Sequence, residues 1–244
     1  MNVKTLFSLL MAALLVSGCI GESGRTNRGV KDIFVREPGD STVYALTAVG
    51  SNDSILVFLT LPYNGADPDT VNILEALRQR KVFGRPQVGD NVAIVRNDSD
   101  STLAERVIVT EQFAGTWCYN VYPRLRRKLG EGPLPPRLQK MLEEPREYGM
   151  VVKPAGVMIT MGTRVSQADE QSPVVYQRAK NYGRWAIFNG HLVLSEVKRD
   201  SAGNRITIGT DTADFVRMRR DTLILRFRDG DRKYYRKDEE EHNG

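Results

Sequence analysis

The sequence predicts an all-β chain with two short helices, arranged as a small barrel followed by a larger antiparallel meander barrel. Three observations carry this. Short segments rich in Val, Ile, Thr and aromatic residues recur along the 244 residues. Turn chemistry separates them, as at Gly50-Ser51-Asn52-Asp53, Asn189-Gly190 and Asp229-Gly230. Helical spacing is confined to two places, 67–81 and 137–144.

The chain opens with the features of an export signal over 1–18. Lys4 is its charged start, Leu6 to Val16 its apolar segment, and Ser17-Gly18 its small cleavage residues. The apolar run is too short to span a bilayer. Leu15-Val16-Ser17-Gly18-Cys19 resembles the lipobox of bacterial lipoproteins. That resemblance implies lipid attachment at Cys19, cleavage after Gly18 and acylation of the new amino terminus. An ordinary signal peptide with an incidental cysteine is the alternative. No later stretch approaches ~18 consecutive apolar residues, so attachment is expected through acyl chains, two or three of which hold where one is marginal. Ile20-Gly21-Glu22 lacks the aspartate that favours inner-membrane retention, which points to the outer membrane and leaves surface or periplasmic orientation open.

Residues 19–36 hold Gly21, Gly24 and Gly29 among polar residues, the composition of a flexible tether. The remaining chain is long enough for two modest cores. In the first unit, 37–111, Val43–Val49 and Ser54–Leu61 read as one hairpin, and Val88–Arg96 with Leu103–Thr110 as another. Between them Asp67 is expected as an N-cap, with Pro68 at the first helical position and Val71, Ile73, Leu74 and Leu77 as an apolar stripe. Four strands and a helix suggest an OB-like or SH3-like barrel.

The second unit, 112–238, begins at Gly115-Thr116-Trp117. Trp117, Tyr119 and Val121 alternate with Thr116, Cys118 and Asn120, the period of a strand with one face in a core. An insert over 123–148 contains Pro133, Pro135, Pro136 and a short helix over Arg137–Glu144; its length suits a lid or a bridge. Strands follow at Val151–Thr160, Val174–Ala179, Arg184–Phe188, Leu192–Val197, Arg205–Ile208, Ala213–Met218, Thr222–Arg228 and Arg232–Arg236. Roughly eight or nine strands joined by tight turns close most economically as an up-and-down barrel. The acidic tail 239–244 is expected to be disordered.

Gly115-Thr116-Trp117, Trp185-Ala186-Ile187-Phe188-Asn189-Gly190-His191-Leu192 and Asp221-Thr222-Leu223-Ile224-Leu225 together resemble the lipocalin-like domains of bacterial lipoproteins. The resemblance covers about residues 112 to 238 and implies a barrel with an end cavity, usually without an assigned activity, whose first-strand tryptophan closes one end. The insert departs from that pattern and bears on how open the cavity is.

Catalytic chemistry is sparse. Two histidines occur, and His242 sits in the tail. His191 and Ser195 share a strand face but lie about 13 Å apart along it, beyond hydrogen-bond reach. With Cys19 assigned to lipid, Cys118 has no disulfide partner and is expected to be a buried apolar-type residue. A Cys118/His191 hydrolase is the enzymatic alternative. No nucleophile elbow, phosphate loop or dinucleotide fingerprint is present. Asp98 and Asp100 read as a turn and not a calcium loop, and the pair Asp169 and Glu170 lies in a loop that offers nothing to raise a pKa. No metal or cofactor is expected.

Arg217, Arg219, Arg220, Arg226, Arg228, Arg232, Lys233 and Arg236 crowd the last strands, either as a solvated surface or as an anion site. Tyr234 and Tyr235 beside them suit strand packing or a sugar platform. Asp-Ser/Thr triplets at Ser41, Ser54, Thr70, Ser101, Ser201, Thr212 and Thr222 resemble an O-glycosylation acceptor of exported proteins in some gut anaerobes, and are equally good turn and cap pairs. The net charge of +5 is modest, and nucleic acid is not a partner outside the cytoplasm. The sequence therefore points to a non-enzymatic, membrane-anchored lipoprotein of the cell envelope that binds a small apolar or glycan ligand or a protein partner. An assembly subunit with a filled barrel is the alternative from another class.

Overall fold

The computed structural model describes residues 38–127, 132–162 and 172–237. The signal, Cys19, the tether, Asp169, Glu170 and the acidic tail lie outside the described residues. The chain is mostly β, with a closed eight-stranded antiparallel barrel and a further sheet.

The first sheet comprises β1 (Val43–Thr47), β2 (Ile55–Thr60), β3 (Asp69–Asn72), β4 (Val82–Phe83), β5 (Asn91–Arg96) and β6 (Ala104–Val109), in the spatial order β3-β2-β1-β5-β6-β4. Its first hairpin turns where expected: the Asn52 side-chain oxygen accepts from the N–H groups of Ser54 and Ile55 at 2.8 and 2.9 Å. The sheet curls, and an isolated bridge links Asn72 to Leu103. The ladder stays open between β3 and β4, so this unit, whose strand order and closure the sequence leaves unspecified, is a curled six-stranded sheet.

The helix expected from Asp67 does not start there. Asp69–Asn72 pairs with β2 as an edge strand, and α1 is the short Leu74–Arg78. The β-branched Thr70 and Val71 suit a strand, and pairing satisfies the outer backbone groups of β2. Asn72 then accepts the Leu74 N–H at 2.9 Å. Val71 and Ile73 are buried, whereas Leu74 and Leu77 are exposed.

α2 (Thr110–Phe113) connects this sheet to the barrel. The barrel strands are β7 (Gly115–Val121), β9 (Arg146–Lys153), β10 (Val157–Met161), β12 (Tyr182–Phe188), β13 (His191–Arg199), β14 (Arg205–Met218), β15 (Thr222–Phe227) and β16 (Gly230–Lys237). They neighbour one another in chain order and β16 returns to β7, an up-and-down closure. In the insert, α3 spans Pro136–Glu143, and the insert's β8 (Arg124–Leu125) pairs with β11 (Val174–Val175), which lies beyond it.

Four expectations shift. Three helices are present among the described residues, where two were expected. The single strand over 151–160 is a hairpin that starts inside the insert, because Ala155 and Gly156 take φ of +62° and +74° and reverse the chain. Only Val174–Val175 of 174–179 is strand. Arg205–Ile208 and Ala213–Met218 merge into β14, since β13 runs on to Arg199 and pairs along its length.

Buried residues of both sheets form one contiguous core. Phe113 stands edge-on to Trp185 and Phe215, at 5.1 and 5.4 Å between centroids, and Phe83 lies 5.6 Å from Phe215. Polar contacts frame this junction. The Asn189-Gly190 turn, with φ of +49° and +72°, presents its N–H groups to Asp40 Oδ1 and Thr42 Oγ1. Tyr44 donates to the Ile187 carbonyl at 2.5 Å, and Arg106 to the Gly190 carbonyl at 2.7 Å. The first sheet thus closes one end of the barrel.

Candidate functional site at the open end of the barrel

Strand parity decides what the barrel interior contains. Trp117, Trp185, Ile187, Leu192, Leu194, Phe215, Leu223 and Leu225 point inward and are at most 4% exposed, so the sheet-facing half is filled. Trp117 donates its indole N–H to the Phe113 carbonyl at 2.8 Å, and Arg236 lies 4.2 Å over its ring. Trp117 is a packing residue at the closed end. Arg236 also donates to the carbonyls of Gln112, Ala114 and Arg220, tying β16 to the connection between the sheets.

The other half is open. A cavity of about 780 Å³ is lined by Tyr119, Val121, Gln177 to Lys180, Tyr182, Thr210 to Thr212, Phe227 to Asp229 and Arg232. On β16, Arg232, Tyr234 and Arg236 alternate with the exposed Asp231, Lys233 and Tyr235. Arg232 stands at the mouth, 4.5 Å over the Phe227 ring, with Asp229 accepting from it at 2.8 Å. Beneath it Tyr234 packs on Tyr119 at 5.0 Å, and Tyr119 on Tyr148 at 6.0 Å. Across the mouth, Asp211 accepts from Tyr182 at 2.5 Å and from Lys180 at 2.6 Å.

The electrostatics keep these groups in defined states. Burial pushes the phenols of Tyr119, Tyr182 and Tyr234 above the ordinary tyrosine range, and the bond to Asp211 adds to this for Tyr182. They remain neutral hydroxyls. Burial acts to raise the Asp211 carboxyl, but the bonds from Lys180 and Tyr182 outweigh it and hold the group ionised below its usual range. The mouth therefore offers hydroxyls, one ion pair, aromatic faces and a guanidinium.

The residues of the hydrolase alternative are not brought together. Cys118 and His191 sit on β7 and β13, opposite each other round the eight-stranded ring, and both face outward. His191 Nδ1 instead lies 2.6 Å from Asp214, which Arg106 also approaches at 3.5 Å, beside the first sheet. Cys118 is fully buried even though it faces outward, on a strand stretch flanked by Gly149 and Tyr235. Burial, then the Glu147 carboxylate, push its thiol up, so it stays protonated.

The arginine-rich strands divide by parity. Arg226 faces out and pairs with Asp231 at 2.8 Å, Arg228 lies in the turn after β15 at the cavity rim, and Arg232 and Arg236 face in. A uniformly solvated surface is thus not what these residues form. Tyr235 is outside the barrel, where its bond to Glu147 holds its phenol up at about 12. Asp100 accepts from Thr102 within an exposed turn. Of the glycosylation triplets, Ser101 and Ser201 occupy exposed turns, while Thr212 lines the cavity. Among the described residues no cluster of His, Cys, Asp or Glu could hold a metal, and no helix is long and apolar enough to cross a membrane.

Sequence reasoning missed Lys180, Tyr182 and Asp211, which precede or interrupt the strands it delimited. The inward parity of Arg232 was available from its spacing to Tyr234. No protein-family model, no curated protein and no solved structure matches this chain.

Proposed function

We propose that this chain is a non-enzymatic lipoprotein of the outer membrane, held by acyl chains on Cys19, with a lipocalin-like barrel that binds a small ligand at its open end. The carrying observation is a barrel filled at the sheet-facing half and hollow at the other, with a cavity of about 780 Å³. That volume falls in the range of small-molecule sites. It favours a ligand carrier over an assembly subunit with a filled barrel.

The test is mass spectrometry of small molecules that copurify with the full-length chain from a bacterial membrane. A ligand should accompany the wild type and be lost from Val121→Trp, which places an indole in the cavity from the inward face of β7. Equal recovery from both, or none from either, sinks the ligand reading. In parallel, Cys19→Ser should move the protein from the membrane to the soluble fraction.

A further inference from the structure

We propose that the open end selects an acidic sugar, a ligand whose carboxylate takes the Arg232 guanidinium while its ring hydroxyls take Tyr119, Tyr182 and the Lys180–Asp211 pair; this rests on the ligand-binding reading above. Charge comes first. The cavity lining holds Arg178, Lys180, Arg228 and Arg232 against Asp211 and Asp229, an excess of cations in a partly enclosed space. Arg232 is the member that faces into the barrel, and the Phe227 ring, 4.5 Å away, fixes its plane. A planar guanidinium fork matches a carboxylate in two parallel hydrogen bonds. Its present partner, Asp229, is mostly exposed on the β15–β16 hairpin, so an incoming carboxylate competes with a group that water can take back.

Shape and polarity then choose among anions. An acyl chain would need an apolar channel below the mouth, but Met158, Leu194 and Leu225 fill that volume at 1% exposure or less. Inorganic phosphate is far smaller than the cavity and would leave the aromatic walls uncovered. A sugar ring uses both features. Its C–H faces lie against Tyr119 and Phe227, and its hydroxyls meet neutral phenols and a fixed ion pair that donate and accept at once.

Calorimetric titration of the full-length protein in detergent with glucuronate, glucose, decanoate and inorganic phosphate tests this. Glucuronate should bind at least tenfold more tightly than the other three, and Arg232→Gln should lower its affinity at least tenfold. Asp229→Asn sits at an exposed turn and should raise glucuronate affinity several-fold, because Arg232 loses its competing carboxylate. That second variant separates lost recognition from lost folding. Glucose, decanoate or phosphate binding as tightly as glucuronate overturns the acidic-sugar assignment and leaves the ligand cavity standing, as does an Asp229→Asn variant that binds no better. Silence from all four probes overturns the assignment too, and the copurification experiment then decides the fate of the cavity reading separately.

Discussion

Replacing Phe113 with alanine should unfold both sheets together. The ring is completely buried in the short helix between them and makes edge-on contacts at 5.1 and 5.4 Å with Trp185 and Phe215 of the barrel. Truncating a buried Phe to Ala costs about 3–5 kcal/mol, because transfer energy is lost and a cavity is left. The rigid strands around this ring leave little room for collapse, so about 4 kcal/mol is expected. Domains are stable by only about 5–15 kcal/mol, and for roughly 150–250 residues each kcal/mol moves Tm by about 2–4 °C. The substitution should therefore lower Tm by roughly 8–16 °C. The assay is urea unfolding followed by tryptophan fluorescence and by far-ultraviolet circular dichroism. Both tryptophans are in barrel strands, so fluorescence follows the barrel, while dichroism follows both sheets. The wild type should show coincident transitions, and the variant the same coincidence at lower urea. A variant whose fluorescence midpoint stays put while the dichroism splits into two steps would refute the idea that one core serves both sheets.

Three further outcomes follow from the same geometry. Gly190→Ala places a methyl 2.7 Å from Val95 Cγ2 and 3.0 Å from Arg106 Cδ at a φ of +72°, and should cost about 2 kcal/mol; Gly203→Ala, at φ +81° with open space around it, should cost about 1 kcal/mol or less in the same denaturation assay. Cys118 should resist a thiol-titrating disulfide reagent in the native protein and react fully in denaturant, and rapid native labelling would show the thiol is not shielded. Asp211, whose carboxyl is held below its ordinary range, contributes stability that is present above about pH 4 and lost as pH falls through the folded value. Asp211→Asn should therefore be destabilised at pH 7, with the gap to the wild type narrowing as the pH falls below about 4; a gap that stays constant as the pH falls contradicts this assignment.

Barrel topology was legible because it rests on local signals. Asn189-Gly190 and Asp229-Gly230 specify tight reversals, and alternation such as Leu223, Leu225 and Phe227 against Arg226 and Arg228 specifies the inner face. Where local signals mislead, the reading slipped. Asp67-Pro68-Asp69 is good helix-start chemistry, yet the open edge of β2 captured Asp69–Asn72 as a strand. The continuous apolar character of 151–160 concealed a reversal at Ala155 and Gly156, because hydrophobicity marks burial and carries no turn information.

From its sequence this protein has an all-β plan, a closed meander in its second half, and an expected lipid-bearing start, since periodicity, turn residues and small-residue spacing act over a few neighbouring positions. Tertiary structure decided that the first sheet stoppers one end of the barrel, and that Lys180, Tyr182, Asp211 and Arg232 meet at the other. Those groups come from separate segments of the second half of the chain. Only strand register, set by the whole ring closing on itself, puts their side chains around one cavity.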